Sequence, residues 1–310
     1  MSELVICFNN KDPYPWKKAL QEALPESTIH IWEKGQHYGQ ASMALCWLPN
    51  ENILSTMPNL RLLQSVGAGV DFLFKLDLGA HPPHIARVVD TSLSQDMFEF
   101  LLGLLLSDMK RLGYYQIQQG KQQWSPQSYS RIGQTKVTII GLGQIGSFIA
   151  TKLHDLGFQV SGYAQNKKNI EGIHCFDATD GFEASVHQAD YVVNVLPLTD
   201  ATQGYYNKER LAAFKPGSTF INIGRGGHVI DEDLIEALDD GKLSQAYLDV
   251  FHQEPLDPRH PFWTNPKVHI TPHIAGVTST EATVKQIVAN FLAIQGGKTL
   301  MNEVSVKKGY

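Results

Sequence analysis

At 310 residues the chain is long enough for two domains of ordinary size, and 43% hydrophobic with 18% charged residues is the balance of a soluble globular protein. A net charge of −5 speaks against a nucleic-acid partner, and Cys7, Cys46 and Cys175 have neither metal-ligand spacing nor the density of a disulfide framework. The apolar run LVICF is too short for a signal peptide and FLLGLLL at 100–106 is too short for a membrane span, so the expectation is a cytoplasmic protein without a membrane partner.

In chain order, LVICF (4–8) reads as a buried strand and WKKALQEAL (16–24) as a helix with Trp16, Leu20 and Leu24 on one face. IHIW (29–32), ALCWL (44–48) and LRLLQSVG (60–67) are further strands, which makes a first α/β unit. From Ser94 a long helical pattern runs to Trp124, apolar on most sides at first, as expected of a helix at a domain junction. KVTIIGLG then opens a second α/β unit, with strands near 136–140, 158–163, 191–195, 219–223, 245–249 and 268–270. DEDLIEALDDGKL carries its own helix punctuation, with Asp231 suited to the N-cap and Gly241 to the stop. The segment TSTEATVKQIVANFLAIQGG is a last helix that returns to the first domain. The expected class is α/β, two doubly wound domains with parallel sheets: 1–98 plus 282–310, and 99–281.

GLGQIG at 141–146 lies between a strand and a helix, the setting in which such glycines bind a dinucleotide. Gly141 permits a tight turn, Gly143 lets backbone approach a pyrophosphate, and Gly146 lets helix and strand pack closely. N–H groups near Gln144 and Ile145 would face the anion at the helix start. The next strand ends at Tyr163 and Ala164 without the usual acid for the adenosine ribose; Gln165, Asn166, Lys167 and Lys168 follow. A carboxylate there would repel a 2′-phosphate and basic or amide groups would hold it, so NADP(H) is preferred and NAD(H) possible. The plainer alternative is a solvated lysine pair.

Three further residues stand at or just beyond predicted strand ends, where open α/β sheets bind ligands: Arg225, Glu254 and His273. A 2-keto acid needs a planar cation for its carboxylate and a proton donor for its keto oxygen. Guanidinium supplies the first, and imidazole, with a reference pKa of about 6.5, the second. A neighbouring carboxylate favours the charged imidazole and orients it. The bland readings are a loop cation, a turn residue and a core histidine. The other eleven histidines have no comparable context, and His228 and His252 are read as bystanders.

GLGQIG, NIGRGGHVIDEDLIEAL, LDVFHQEPL and TPHIAGVT, in this order and spacing, resemble the D-isomer-specific 2-hydroxyacid dehydrogenases over nearly the whole chain. SVGAGVDFL, CWLP, AQNKK and the ending KKGY are similar to its glyoxylate/hydroxypyruvate reductase A group. The resemblance implies a substrate-binding domain, a Rossmann cofactor domain, an active-site cleft between them, and a homodimer. It gives Arg225 the substrate carboxylate, His273 with Glu254 the acid–base role, and Ala68 and Gly69 a backbone contact to the carboxylate. Trp47 would line the substrate pocket, with a core aromatic as its plainer reading. Leu196, Pro197, Ile223, Gly224, Asp249 and Gly276 would lie along the cofactor, Asp249 at the nicotinamide carboxamide. One departure is Gly224, where the family often has Ala or Thr, and little consequence is expected. The implied activity is reduction of small 2-keto acids, glyoxylate and hydroxypyruvate first. A reductase of bulkier keto acids is the runner-up, and a nucleotide-sensing scaffold akin to the C-terminal-binding corepressors the remote alternative.

Overall fold

Alternating apolar strands and amphipathic helices produce two parallel sheets in the computed structural model, which describes residues 2–50 and 53–305. The KKGY ending lies outside the described residues. The chain divides into two units, 1–93 with 278–310, and 94–277.

The first unit holds β1 (Glu3–Phe8), α1 (Tyr14–Ala23), β2 (Thr28–Ile31), β3 (Ala41–Trp47), β4 (Leu62–Ser65) and β5 (His84–Ala86). The sheet order is β2-β1-β3-β4-β5, all parallel. Side chains alternate along β1 as strand geometry demands: Leu4 and Ile6 enter the cluster with Trp16 and Leu20, and Val5 and Cys7 enter the opposite one. Cys7 and Cys46 are register partners on β1 and β3, both buried and both free thiols.

The last helix belongs to this unit. Ser279 caps it by accepting the Ala282 N–H, and Ile287, Phe291 and Ile294 pack with α1 residues in one core. Its buried Asn290 donates to Gln64 Oε1 on β4 at 2.8 Å, a polar pin inside an otherwise apolar contact.

The second unit begins within α2 (Thr91–Met109). The long pattern after Ser94 is two helices: Arg111 takes a left-handed conformation, φ 57°, and α3 (Leu112–Gly120) starts anew. β6 (Lys136–Ile140), α4 (Gln144–Asp155), β7 (Gln159–Tyr163), β8 (His174–Phe176), α5 (Phe182–Val186) and β9 (Tyr191–Asn194) follow. Then come α6 (Lys208–Ala212), β10 (Ser218–Asn222), α7 (Asp231–Asp239), β11 (Leu243–Leu248) and β12 (Val268–Ile270), with the returning helix α8 (Thr280–Gly296) in the first unit. The seven strands run β12-β11-β10-β9-β6-β7-β8, all parallel, so the winding reverses between β6 and β9. That reversal opens a crevice beyond the strand ends, and the glycine loop leaves β6 directly into it.

Asp231 is not the N-cap of α7. Ile230 holds that position without a side-chain cap, and Asp231 is the first helical residue. Its carboxylate lies 3.2 Å from His260 Nε2 and 3.6 Å from His252 Nε2. Burial pushes its pKa up, opposed by the charge of the two histidines. His252, read as a bystander, is thus part of an acid–imidazole cluster below the Arg225 loop. Gly241, φ 74°, follows the helix end as expected.

Among the described residues no helix is long and apolar enough to cross a membrane.

Candidate active site

The glycine loop is built by sterics. Gly141 has φ 108°, and a Cβ there would stand 3.0 Å from Leu196 N and Val195 C, so the loop lies against the chain leaving β9. A Cβ on Gly146 would come within 1.9 Å of Gly141 O, so helix α4 starts against the loop only if this residue has no side chain. Gly143 is different: nothing lies within 4 Å of its would-be Cβ, and it caps α4 with no side-chain hydrogen bond. Gly143 thus offers the first-turn N–H groups of Gln144 and Ile145 no capping oxygen and places no side chain beside them. This is a cradle with room for an anion, and it fits a dinucleotide pyrophosphate.

One strand over, Tyr163 and Ala164 are buried at the end of β7, and Gln165, Asn166, Lys167 and Lys168 are exposed. An acid does stand near them in space, which the sequence did not show. Asp177, after β8, has its carboxyl held below the ordinary range, first by the Thr179 N–H and last by the charge of Lys167.

The ionisable set gathers on loops after β10, β11 and β12, which are neighbours in the sheet. His273 Nδ1 lies 2.7 Å from Glu254 Oε2, and Glu254 Oε1 accepts the Phe251 N–H at 2.9 Å. Burial alone would raise the Glu254 carboxyl. The hydrogen bond and charge of His273, the Phe251 N–H and the charge of Arg225 outweigh it, and the pKa falls below the ordinary value. An ionised carboxylate only accepts, so Nδ1 carries the proton and Nε2 is the ring nitrogen on the opposite side.

His273 is placed by its backbone. Its φ is 55°, and its N–H donates to Asp249 O at 2.8 Å. Asp249, only 2% exposed, accepts three more bonds from the same turn: Thr271 Oγ1 at 2.7 Å, Ile274 N at 2.9 Å and Ala275 N at 2.9 Å. Asp249 thus organises the histidine turn, a task the resemblance did not suggest. Gly276 continues this turn.

Arg225 is partly buried, and its Nη1 donates to Gly224 O at 2.8 Å. The next residue ties its loop to the Glu254 loop: a Cβ on Gly226 would fall 1.9 Å from the Phe251 carbonyl carbon. Behind the arginine is a network the sequence reading missed. Asn194 and Asn222 are register partners on β9 and β10, both fully buried. Asn194 Nδ2 donates to Asn222 Oδ1 and to His228 Nδ1, each at 2.8 Å. Asn194 Oδ1 accepts from Tyr206 OH at 3.1 Å and Leu196 N at 3.2 Å. Asn222 Oδ1 also accepts Gly224 N at 3.1 Å, and its Nδ2 donates to Arg225 O at 3.0 Å. Since Nδ1 of His228 accepts, Nε2 donates, to Pro197 O at 3.2 Å.

Asn194 thereby uses both donors and both lone pairs, and the network fixes the backbone of Leu196, Pro197, Gly224 and Arg225 together. Ile223 is buried between Asn222 and Gly224. The Gly224 departure has its reason here: a Cβ would stand 2.9 Å from Asn194 Nδ2 and 3.2 Å from Leu196 O.

In the first unit, Trp47 ends β3 half-buried, with its ring 6.0 Å from Phe72 and its Cζ3 3.3 Å from where a Gly67 Cβ would be. Ala68 and Gly69 follow in a turn held by Ser65, whose hydroxyl donates to Gly69 O at 2.7 Å and accepts Gly67 N at 3.2 Å.

Residues 102–275 match the family described as D-isomer specific 2-hydroxyacid dehydrogenase, NAD binding domain. The glyoxylate/hydroxypyruvate reductase A of Serratia proteamaculans is 35% identical over 301 residues, covering 95% of this chain and 96% of the relative. A D-isomer specific 2-hydroxyacid dehydrogenase from Xanthobacter autotrophicus Py2, crystallised with NADPH and MES, superposes with a TM-score of 0.91 at 33% identity, covering 100% of this chain and 99% of its own. The NADPH-dependent glyoxylate/hydroxypyruvate reductase of Sinorhizobium meliloti, crystallised with NADP and sulfate, gives 0.92 at 30% identity with both chains fully covered. Motifs, fold and relatives agree that this chain belongs to the D-isomer-specific 2-hydroxyacid dehydrogenase family.

Proposed function

We propose that the chain is an NADPH-preferring reductase of small 2-keto acids, converting glyoxylate to glycolate and hydroxypyruvate to D-glycerate. The observation that carries this reading is the His273–Glu254 pair at 2.7 Å, on a turn fixed by Asp249 and in a loop cluster with Arg225. When bound, the dinucleotide supplies the hydride that the carbonyl carbon accepts. The protein does the rest. Protonated His273 delivers the Nε2 proton to the keto oxygen, while ionised Glu254 holds Nδ1 and stabilises the imidazolium. Arg225 pairs with the substrate carboxylate and polarises the carbonyl. N–H groups of Ala68 and Gly69 are assigned to the same carboxylate, and Trp47 to the apolar side of the substrate.

The dinucleotide is assigned to Gly141, Gly143, Gln144, Ile145 and Gly146 at the pyrophosphate, and to Leu196, Pro197, Ile223, Gly224, Asp249 and Gly276 along its length. Gln165, Asn166, Lys167 and Lys168 are assigned to the 2′-phosphate. The relatives crystallised with NADPH or NADP support the preference, as does the lack of an acid at 163–168.

Exposed Leu112, Ile117, Trp124 and Tyr129 on and after α3 support a homodimer through the second unit, since such a cluster on one surface segment favours a partner. Three free thiols support a reducing compartment, the cytoplasm.

The test is kcat/KM for glyoxylate and hydroxypyruvate with NADPH and with NADH. NADPH-dependent reduction of both, at least about tenfold better than with NADH, is the expected result for a 2′-phosphate contact. Bound NADPH with no turnover of any keto acid would mark a scaffold instead.

A further inference from the structure

The sheet of the first unit has a reversal of its own. Its order β2-β1-β3-β4-β5 puts the change of winding between β1 and β3, and in open α/β sheets ligands bind in the crevice beyond the strand ends at such a point. The chain leaving β1 carries Lys11 there, and β3 ends there with Trp47. Lys11 Nζ stands 4.8 Å from the ring centroid of Trp16 and 5.1 Å from that of Trp47. The same Trp47 ring touches the Gly67–Gly69 turn after β4, the next strand in the sheet.

The ammonium has only these two indoles. Among the described residues it makes no ion pair and no hydrogen bond, and adjacent Asp12 instead accepts the Tyr14 N–H at 3.0 Å. Burial lowers the Lys11 pKa by desolvation. A partly desolvated cation costs free energy unless an opposite charge meets it, and aromatic faces offset only part of that cost. An ammonium set against two indoles at a switch point, with no anionic partner among the described residues, describes a place for an anion.

We propose that Lys11 is a specificity-determining residue that favours 2-keto acids carrying a second anionic group, with the far carboxylate of a keto diacid docking on its ammonium between Trp16 and Trp47. This rests on the keto-acid reading above. The carboxylate common to all substrates is assigned to the Ala68–Gly69 turn of the same unit; Lys11 reads what differs among them.

Two measurements on the full chain test it. Ketomalonate and oxaloacetate are compared with glyoxylate and pyruvate in NADPH-dependent turnover, and the non-reducible anions malonate and acetate are titrated calorimetrically. The dianions are expected to be favoured by about tenfold in kcat/KM, and malonate to bind about tenfold tighter than acetate, the scale of one charge-assisted hydrogen bond. Lys11→Met should erase both preferences while glyoxylate turnover stays within about twofold, and Lys11→Arg should keep them. No dianion preference in the wild type, or an equal fall on all substrates in Lys11→Met, overturns the proposal. Should Lys11→Met unfold, the salt dependence of malonate binding to the wild type decides: steeper than for acetate supports the site, and equal slopes overturn it. Lys11-dependent malonate selectivity without reduction of any keto acid would keep the anion site and remove the reductase reading.

Discussion

The two switch-point crevices of this chain are built in opposite ways. In the second unit the polar groups of the loops after β9, β10, β11 and β12 are satisfied from within: Asp249 by four donors in or near its turn through its carbonyl and carboxylate, Glu254 by Phe251 and His273, Asn194 by four partners. In the first unit the Lys11 ammonium, set against two indoles, has no anionic partner among the described residues. A saturated network holds geometry, which is what proton and hydride transfer need. An unsaturated one is an affinity still to be used, which is what substrate selection needs. The difference separates residues that set rate from those that choose among substrates.

The saturated side should break sharply. Gly226→Val puts side-chain atoms into the Phe251–His252 backbone, where even a Cβ would fall 1.9 Å from the carbonyl carbon. The Arg225 and Glu254 loops must separate, and kcat/KM should fall by more than about a hundredfold, since misplacement by roughly 1 Å costs that much. Steady-state kinetics on folded protein checks it, and a fall below tenfold would show the loops to be adaptable.

Asn194→Leu comes next. It strands the Tyr206 hydroxyl, His228 Nδ1 and the Leu196 N–H and leaves the Asn222 carbonyl with Gly224 N alone, so the expected loss is about 2–4 kcal/mol of stability. Denaturant melts measure it. A value under about 1 kcal/mol would mean water enters the network.

Glu254→Gln is the subtler change. The amide no longer favours the imidazolium, so the alkaline limb of reduction should move to lower pH. The sign for stability follows from the lowered pKa of Glu254. The folded state binds fewer protons there, so this contribution is full above the ordinary value of 4.5 and is lost as pH falls through the folded pKa. Acid melts of the variant should therefore show a shallower loss below pH 4.5 than the wild type. Parallel curves would remove the pairing from the account.

Much of this was legible in one dimension, and the physics explains where it stopped. Strands buried on both faces read as apolar runs, and glycines in GLGQIG are legible because backbone contact admits nothing else. β5 and β8 have three residues each, too few to show a period. The break falls at Arg111, a non-glycine at φ 57°, while the nearest glycine, Gly113, lies inside α3. Asn194 and Asn222 did leave a signal, polar amides ending strands of Val, Ile and Phe where Asn is disfavoured, but a single sequence does not say that the two are register partners. His228 beside Arg225 read as a bystander because its partners come from another strand. Nothing in the sequence around Lys11 marks the two indoles that the fold sets around it.

The measurement closest to the central claim is the turnover of His273→Asn, with NADPH binding followed separately by fluorescence. The expected result is a fall in kcat of about 10²–10⁴-fold with the NADPH dissociation constant changed by less than about threefold, because the imidazole is assigned to proton transfer and not to the dinucleotide. A variant that keeps kcat within about threefold of wild type would contradict it, and the His273–Glu254 pair would then be a structural feature of the turn.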